Sequence, residues 1–202
     1  MSRIPILILS IFISILSFAQ SNNSENVKQI AKSDAINFFN LIPQGQENEY
    51  GFSKRSDFDK VEIGEPYQVY FVVKKDGAIN FKSTNNWRVP VLVDGKSVAL
   101  LTVISTKGGA KVVDFGATGL AAKLQEFEAE YTASNERVLI RNTYLSVDYI
   151  VPQFSALVDS QSEGLLALKS TTTAKLYPIS RSKIASLKPA SFVAATLNAV
   201  SN

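Results

Sequence analysis

Residues 87–104 read WRVPVLVDGKSVALLTVI, two apolar runs joined by the dipeptide Asp94-Gly95. Both turn residues tolerate a positive φ, which a tight hairpin turn requires, so this pattern is a strong hairpin signal. It predicts one strand from Trp87 to Val93 and a second from Lys96 to Ile104. Because Pro90 has no N–H to donate to a neighbouring strand, we expect the first strand to lie at a sheet edge or to contain a bulge.

Alternating apolar residues and turn signals predict further strands on both sides of this hairpin. Apolar residues at helical spacing predict amphipathic helices, and the polar residues 44–57 predict a surface loop. The predicted strands cover about 66–74, 111–115, 154–158 and 164–167, and 136–143 with 145–151 form one long strand or two joined ones. The predicted helices cover about 25–40, 120–132 and 189–200.

Runs of strands and hairpins, with few strict β–α–β alternations, favour an α+β fold. We expect a curved antiparallel sheet of about five to seven strands with helices packed on one face, including an N-terminal and a C-terminal helix. This arrangement resembles that of the cystatins, and the likeness is architectural and predicts no function. Residues 20–202 are predicted to form a single globular domain.

Residues 1–19 are predicted to be a secretory signal peptide. Arg3 is their only charge, Ile4 to Leu16 is nearly all apolar, and Ser17-Phe18-Ala19 precedes Gln20. A basic end, an apolar core and a small-x-small cleavage site are the parts of such a signal, and the apolar run is too short to cross a bilayer. Cleavage near Ala19-Gln20 predicts a secreted or periplasmic protein without stable membrane insertion, and an uncleaved N-terminal anchor is the alternative.

The chain contains no cysteine and no histidine among its 202 residues. This composition excludes disulfides, thiol nucleophiles and Cys/His zinc sites, and the common catalytic triads lose their base. Carboxylate chemistry, a Ser–Lys pair, an all-oxygen metal site or a non-catalytic role remain open, and we expect no cofactor. The 21 basic and 18 acidic residues are scattered, whereas nucleic-acid binding favours a clustered basic face, so we expect no nucleic-acid partner.

The main acidic cluster consists of Asp57, Asp59, Glu62 and Glu65. Such residues could bind Ca²⁺ or form the acid/base pair of a hydrolase, and the alternative is a solvated loop. Residues 112–119 predict a strand, a glycine turn and a helix whose start could hold an anion. Because this stretch lacks the spacing of known phosphate loops, we interpret its glycines as turn and packing residues.

Trp87, the only tryptophan, is the centre of a candidate surface for a ligand or partner. Tyr67 and Tyr70 on a neighbouring predicted strand, with Arg88 and Asp94, could complete an aromatic and charged surface for a sugar or peptide. The alternative places Trp87 in the core as the packing centre of the hairpin.

Three functions follow from these observations. The first is a secreted or periplasmic non-catalytic binding protein that uses the edge strand or the aromatic surface to hold a protein, peptide or glycan. The second is a protease-inhibitor or pro-region-like regulatory module. The third is a carboxylate-dependent hydrolase, which requires the acidic cluster and Trp87 to converge in one cleft.

Overall fold

The structure is a computed structural model that describes residues 23–130, 136–152, 154–160, 165–168, 176–179 and 193–198. Its helices are α1 (23–39), α2 (Thr118–Glu130), α3 (Phe154–Leu157) and α4 (193–198), with 3-10 helices at Glu47–Tyr50 and Arg55–Lys60. Its strands are β1 (Val61–Ile63), β2 (Tyr67–Lys75), β3 (Ala78–Val93), β4 (Lys96–Thr106), β5 (Gly109–Gly116), β6 (Val138–Asn142), β7 (Val147–Val151), β8 (Val158–Ser160), β9 (Leu165–Leu168) and β10 (Tyr177–Ile179). The predicted signal peptide and the predicted start of the C-terminal helix lie outside these ranges.

Seven of the described strands follow one another across an open sheet in the order β10–β7–β6–β2–β3–β4–β5. β2 and β6 pair in parallel, and the other neighbours in this path are antiparallel. Register shifts interrupt the β2–β3, β3–β4 and β4–β5 pairings, and such bulges bend and twist a sheet. The molecule is therefore α+β with a curved, mostly antiparallel sheet, as predicted.

The predicted hairpin joins β3 to β4. Asp94 and Gly95 have φ values of 50° and 76°, and Val93 pairs with Lys96 across the turn. Two consecutive residues with positive φ match the twist of the flanking strands. The hairpin and its turn residues are confirmed.

The edge position predicted for this strand is wrong, because β3 is central. β3 pairs with β4 along 86–93 on one side, and with β2 and β1 on the other. The predicted alternative, a bulge, does occur beside the proline, since the β3–β4 register shifts between Val91 and Leu92.

Pro90 fits a central strand because none of the described strands lies opposite its nitrogen. It falls between the end of β1 at Ile63 and the start of β2 at Tyr67. On that side its carbonyl accepts a hydrogen bond from the Gly64 amide at 2.8 Å, and the N–H and C=O of one strand residue point the same way. The missing N–H of Pro90 therefore leaves no acceptor unsatisfied in the described strands.

Helices cover the two faces of the sheet in different places. α1 packs on alternate residues of β3 and β4, including Val91 and Leu101, whereas α2 packs on Leu100 and Leu139. Because successive strand residues point to opposite faces, Leu100 and Leu101 place the two helices on opposite sides. The expected packing of helices on one face, and with it the likeness to cystatin, is not confirmed.

Three segments differ from the sequence-based prediction. The predicted loop at 44–57 contains the first 3-10 helix and the start of the second, and the strands predicted over 136–143 and 145–151 form the β6–β7 hairpin. Residues 154–158 contain α3 before the chain enters β8. Within the described ranges, no helix is long and apolar enough to cross a membrane.

Candidate ligand-binding groove

The aromatic residues predicted to form a surface lie in the core. Trp87, Tyr67 and Tyr70 are 2%, 1% and 8% exposed. Trp87 packs in the α1 cluster, and its indole N–H has no hydrogen-bond partner among the described residues. These three rings offer no face on which a ligand could stack, and the position of Trp87 matches the core alternative.

Arg88 and Asp94 lie apart on β3 and do not form one site. Their separation of six residues corresponds to roughly 20 Å along an extended strand. Asp94 is exposed in the turn, with its Oδ2 3.1 Å from Lys60 Nζ. The Nη1 atom of Arg88 donates to Thr102 Oγ1 and lies 3.8 Å from Asp114 Oδ2.

Two members of the acidic cluster, Asp57 and Glu65, make structural contacts. Asp57 Oδ2 accepts hydrogen bonds from the backbone amides of Ser53 and Lys54 at 3.0 and 3.1 Å, and so fixes the start of a 3-10 helix. Glu65 is exposed and pairs with Lys28 of α1 at 2.5 Å. The described residues contain no group of three metal-ligating side chains, and this arrangement lends no support to the hydrolase alternative.

A groove of about 940 Å³ lies between the first turns of α2 and the β6–β7 hairpin. We call it the α2–hairpin groove. It is lined by Gly119, Leu120, Ala122 and Lys123 of α2, and by Arg141, Asn142, Thr143, Ser146, Val147 and Asp148 of the hairpin. Its volume lies near the upper end of the range of small-molecule sites, roughly 300–1,000 Å³.

The two sides of this groove are held in place by different means. α2 is docked by the buried side chains Ala121 and Leu124, which leaves Ala122 exposed on the groove side. In the hairpin, Asn142 Oδ1 accepts the amides of Tyr144 and Leu145 at 3.1 and 3.2 Å. Asparagine favours such turns because its side chain replaces a backbone partner.

A bidentate ion pair crosses the hairpin inside the groove. Arg141 donates from Nε to Asp148 Oδ1 at 2.9 Å and from Nη2 to Oδ2 at 2.8 Å. The two residues are register partners, so their side chains share one face of the sheet. The hydrogen bond with Asp148 raises the pKa of Arg141, so the guanidinium stays charged while its Nη1 atom lies outside this pairing.

The groove carries more positive than negative charge. Its lining contains Lys123, Arg141 and Asp148 as charged side chains. Arg88 is a further cation close enough to interact with Arg141 and Asp148. Burial, and then the charge of Arg141, lowers the pKa of Arg88, whereas the charges of Asp114 and Asp148 raise it. Lys123 is partly neutralised by Glu126, one turn along α2, at 2.6 Å.

Arg141 and Asp148 were not among the residues predicted from the sequence. The sequence predicts 136–143 and 145–151 as one long strand or two joined ones, with no turn between them, so no residue there has a defined partner. A turn assigned to Thr143–Ser146 would place Arg141 opposite Asp148, because register in a hairpin follows from the loop. No protein-family model, curated protein or solved structure matches the chain.

Proposed function

We propose that this chain is a non-catalytic binding protein whose ligand occupies the α2–hairpin groove. The observation that carries the proposal is a solvent-open groove of about 940 Å³ with a half-buried charged pair on its wall. Ligand sites combine an apolar lining with a few placed polar groups. Leu120 and Val147 supply partly buried apolar surface, and Thr143 and Ser146 add exposed hydroxyls at the rim.

The ion pair also offers acceptor sites to a ligand. Both oxygens of Asp148 accept hydrogen bonds from Arg141. The carboxylate can still accept a hydroxyl from a ligand through its remaining lone pairs.

Export of the protein is part of this proposal. The apolar run and small-x-small junction of residues 1–19 support cleavage near Ala19-Gln20. The mature chain would then carry 20 basic and 18 acidic residues, a net charge of +2. Intact mass of the protein recovered from the periplasm or medium tests this, and a cytoplasmic, uncleaved product would contradict it.

The groove is tested by filling it. Ala122→Trp places a large ring in the groove from an exposed helix position, and Ala129→Trp is the matched control, since Ala129 is exposed on α2 but does not line the groove. All three proteins are screened by thermal unfolding against oligosaccharides, peptides and metabolites. A ligand at about a hundred times its Kd stabilises by about 2.7 kcal/mol, which raises the Tm of a chain this size by roughly 5–10 °C.

We expect at least one compound to raise the Tm of the wild type and of Ala129→Trp, and to leave Ala122→Trp unchanged. A compound that stabilises all three proteins equally binds elsewhere and contradicts the proposal. A library in which no compound stabilises the wild type also counts against it.

A further inference from the structure

One row of side chains extends from the groove across the open part of the sheet. Phe71 of β2 is the register partner of Lys82 in β3 on one side and of Arg141 in β6 on the other. Arg141 in turn opposes Asp148 in β7. Directly opposed residues point to one face, so the row Lys82–Phe71–Arg141–Asp148 lies on a single surface.

Phe71 is unusual in this row because it is a large apolar residue left open to water. It is 36% exposed, whereas Val69, two residues earlier on the same face, is 4% exposed and packs with α2. The ring therefore lies beyond the edge of the helix that covers this face. It is flanked on each side by a cation at the strand spacing of about 4.8 Å.

The cations of the row are available to a ligand. Lys82 is exposed, and no acidic side chain of the described residues pairs with it. Arg141 keeps its Nη1 atom outside the pairing with Asp148. An anionic group on either side of Phe71 would therefore meet a cation without breaking an ion pair.

We propose that the row Lys82–Phe71–Arg141–Asp148 binds an acidic oligosaccharide, with a sugar ring packed on Phe71 and its carboxylates paired with Lys82 and Arg141. A pyranose ring presents C–H groups that pack against an aromatic face, and its hydroxyls can donate to Asp148. This inference rests on the proposed binding function and names the ligand class of the same site.

The charge pattern favours an acidic sugar over a nucleic acid. The phosphate backbone carries a charge on every nucleotide and binds best to a groove of uniform positive charge with several stacking rings. This row contains a single aromatic residue, and its carboxylate, Asp148, can accept a hydroxyl group, which a DNA backbone does not offer. A chain of uronic acids carries both a carboxylate and hydroxyl groups on each ring, which complements a row that contains both cations and a carboxylate.

The test uses the mature chain and calorimetric titration with tetragalacturonate. Its methyl ester is the matched probe that keeps the sugar chain and removes the negative charges, and an oligothymidylate represents nucleic acid. The variants are Phe71→Ala and Lys82→Gln, with Lys111→Gln as the control, because Lys111 is an exposed lysine on β5 outside the row. Both row positions are exposed, so these variants should fold.

We expect tetragalacturonate to bind at least about tenfold more tightly than its methyl ester, since each charge-assisted contact contributes strongly. Phe71→Ala and Lys82→Gln should each raise the Kd about five- to tenfold, and Lys111→Gln should change it less than about twofold. The inference is overturned if the ester binds as well as the acid, if the oligothymidylate binds more tightly, or if the row variants behave like the control. If tetragalacturonate does not bind, while Ala122→Trp blocks the binding of another ligand, this inference is overturned and the proposed function stands.

Discussion

The hydroxyl of Tyr67 joins three parts of the chain that are distant in sequence. It donates to Glu128 Oε1 of α2 at 2.6 Å, and Arg137 Nε donates to the same oxygen at 3.1 Å. Burial, with the hydrogen bond to Glu128, raises the pKa of Tyr67 well above its ordinary value. The tyrosine therefore stays neutral and keeps its proton as the donor.

Tyr67→Phe removes this donor without changing the ring. Because a hydrogen bond to a charged group contributes more than a neutral one, we expect a loss of about 1–2 kcal/mol in the free energy of unfolding. Tyr144→Phe is the matched control, since Tyr144 is exposed and its loss should stay within about 0.5 kcal/mol. Urea unfolding measures both, and equal losses would contradict the role given to this contact.

Tyr70 makes stability depend on pH in the alkaline range. Burial, and to a lesser degree the charge of Glu136, raises the pKa of Tyr70 to about 12, against about 10 in an unfolded chain. Between these values the folded state holds a proton that the unfolded state has lost, so stability is present below pH 10 and falls as the pH rises toward 12.

The corresponding variant is Tyr70→Phe. We expect the wild type to lose on the order of 2 kcal/mol more than this variant between pH 10 and 12, measured by urea unfolding at each pH. If the two proteins show parallel pH profiles, Tyr70 does not hold its proton in the way described here.

Residue identity predicted some of these environments and not others. Trp87 suits a core position or a binding surface equally well, and the packing of α1 over its face of β3 buries it. The pairing of Arg141 with Asp148 is not visible in the sequence, because it depends on a turn that has no Gly or Pro to mark it.

At the scale of elements, the segment between α1 and β1 is held against β4 by a close backbone approach. Gly51 ends the first 3-10 helix with a φ of 92°. A Cβ added there would lie 2.2 Å from the carbonyl oxygen of Val98 in β4. Only glycine permits both this φ and this contact.

A comparison of Gly51→Ala with Gly45→Ala separates the cost of a positive φ from the cost of the close contact with Val98. Gly45 also has a positive φ, 88°, but no atom of the described residues lies within 4 Å of its added Cβ. We expect Gly45→Ala to cost about 1–2 kcal/mol from backbone strain alone, and Gly51→Ala to cost about 1–3 kcal/mol more because β4 must shift. Thermal and urea unfolding measure the difference, and similar costs would mean that the contact with β4 yields easily.

Element prediction succeeded where local chemistry decides the structure. The Asp94-Gly95 turn, the aromatic strand β2 and the helical periodicity of α1 and α2 were all predicted close to their observed bounds. It failed at 44–57, where Asp57 fixes a 3-10 helix by accepting two backbone amides. It also missed the first half of β3, because residues 78–86 are largely polar and gain their strand structure from β2 and β9.

At the scale of the whole molecule, the groove depends on a pairing that the sequence does not show. β6 lies parallel to β2 although more than sixty residues separate them, and this pairing places the β6–β7 hairpin beside α2. Long-range pairings of this kind have no local signal. The α+β class was therefore predictable, whereas the strand order and the site were not.

The central claim is that a ligand occupies the α2–hairpin groove. The most direct measurement is amide chemical-shift mapping by NMR on the mature protein, with the compound that most raises its Tm. We expect the largest shifts at 119–123 and 141–148, the two segments that line the groove. Largest shifts at the β4–β5 turn or along α1, with little change at the groove, would contradict the account.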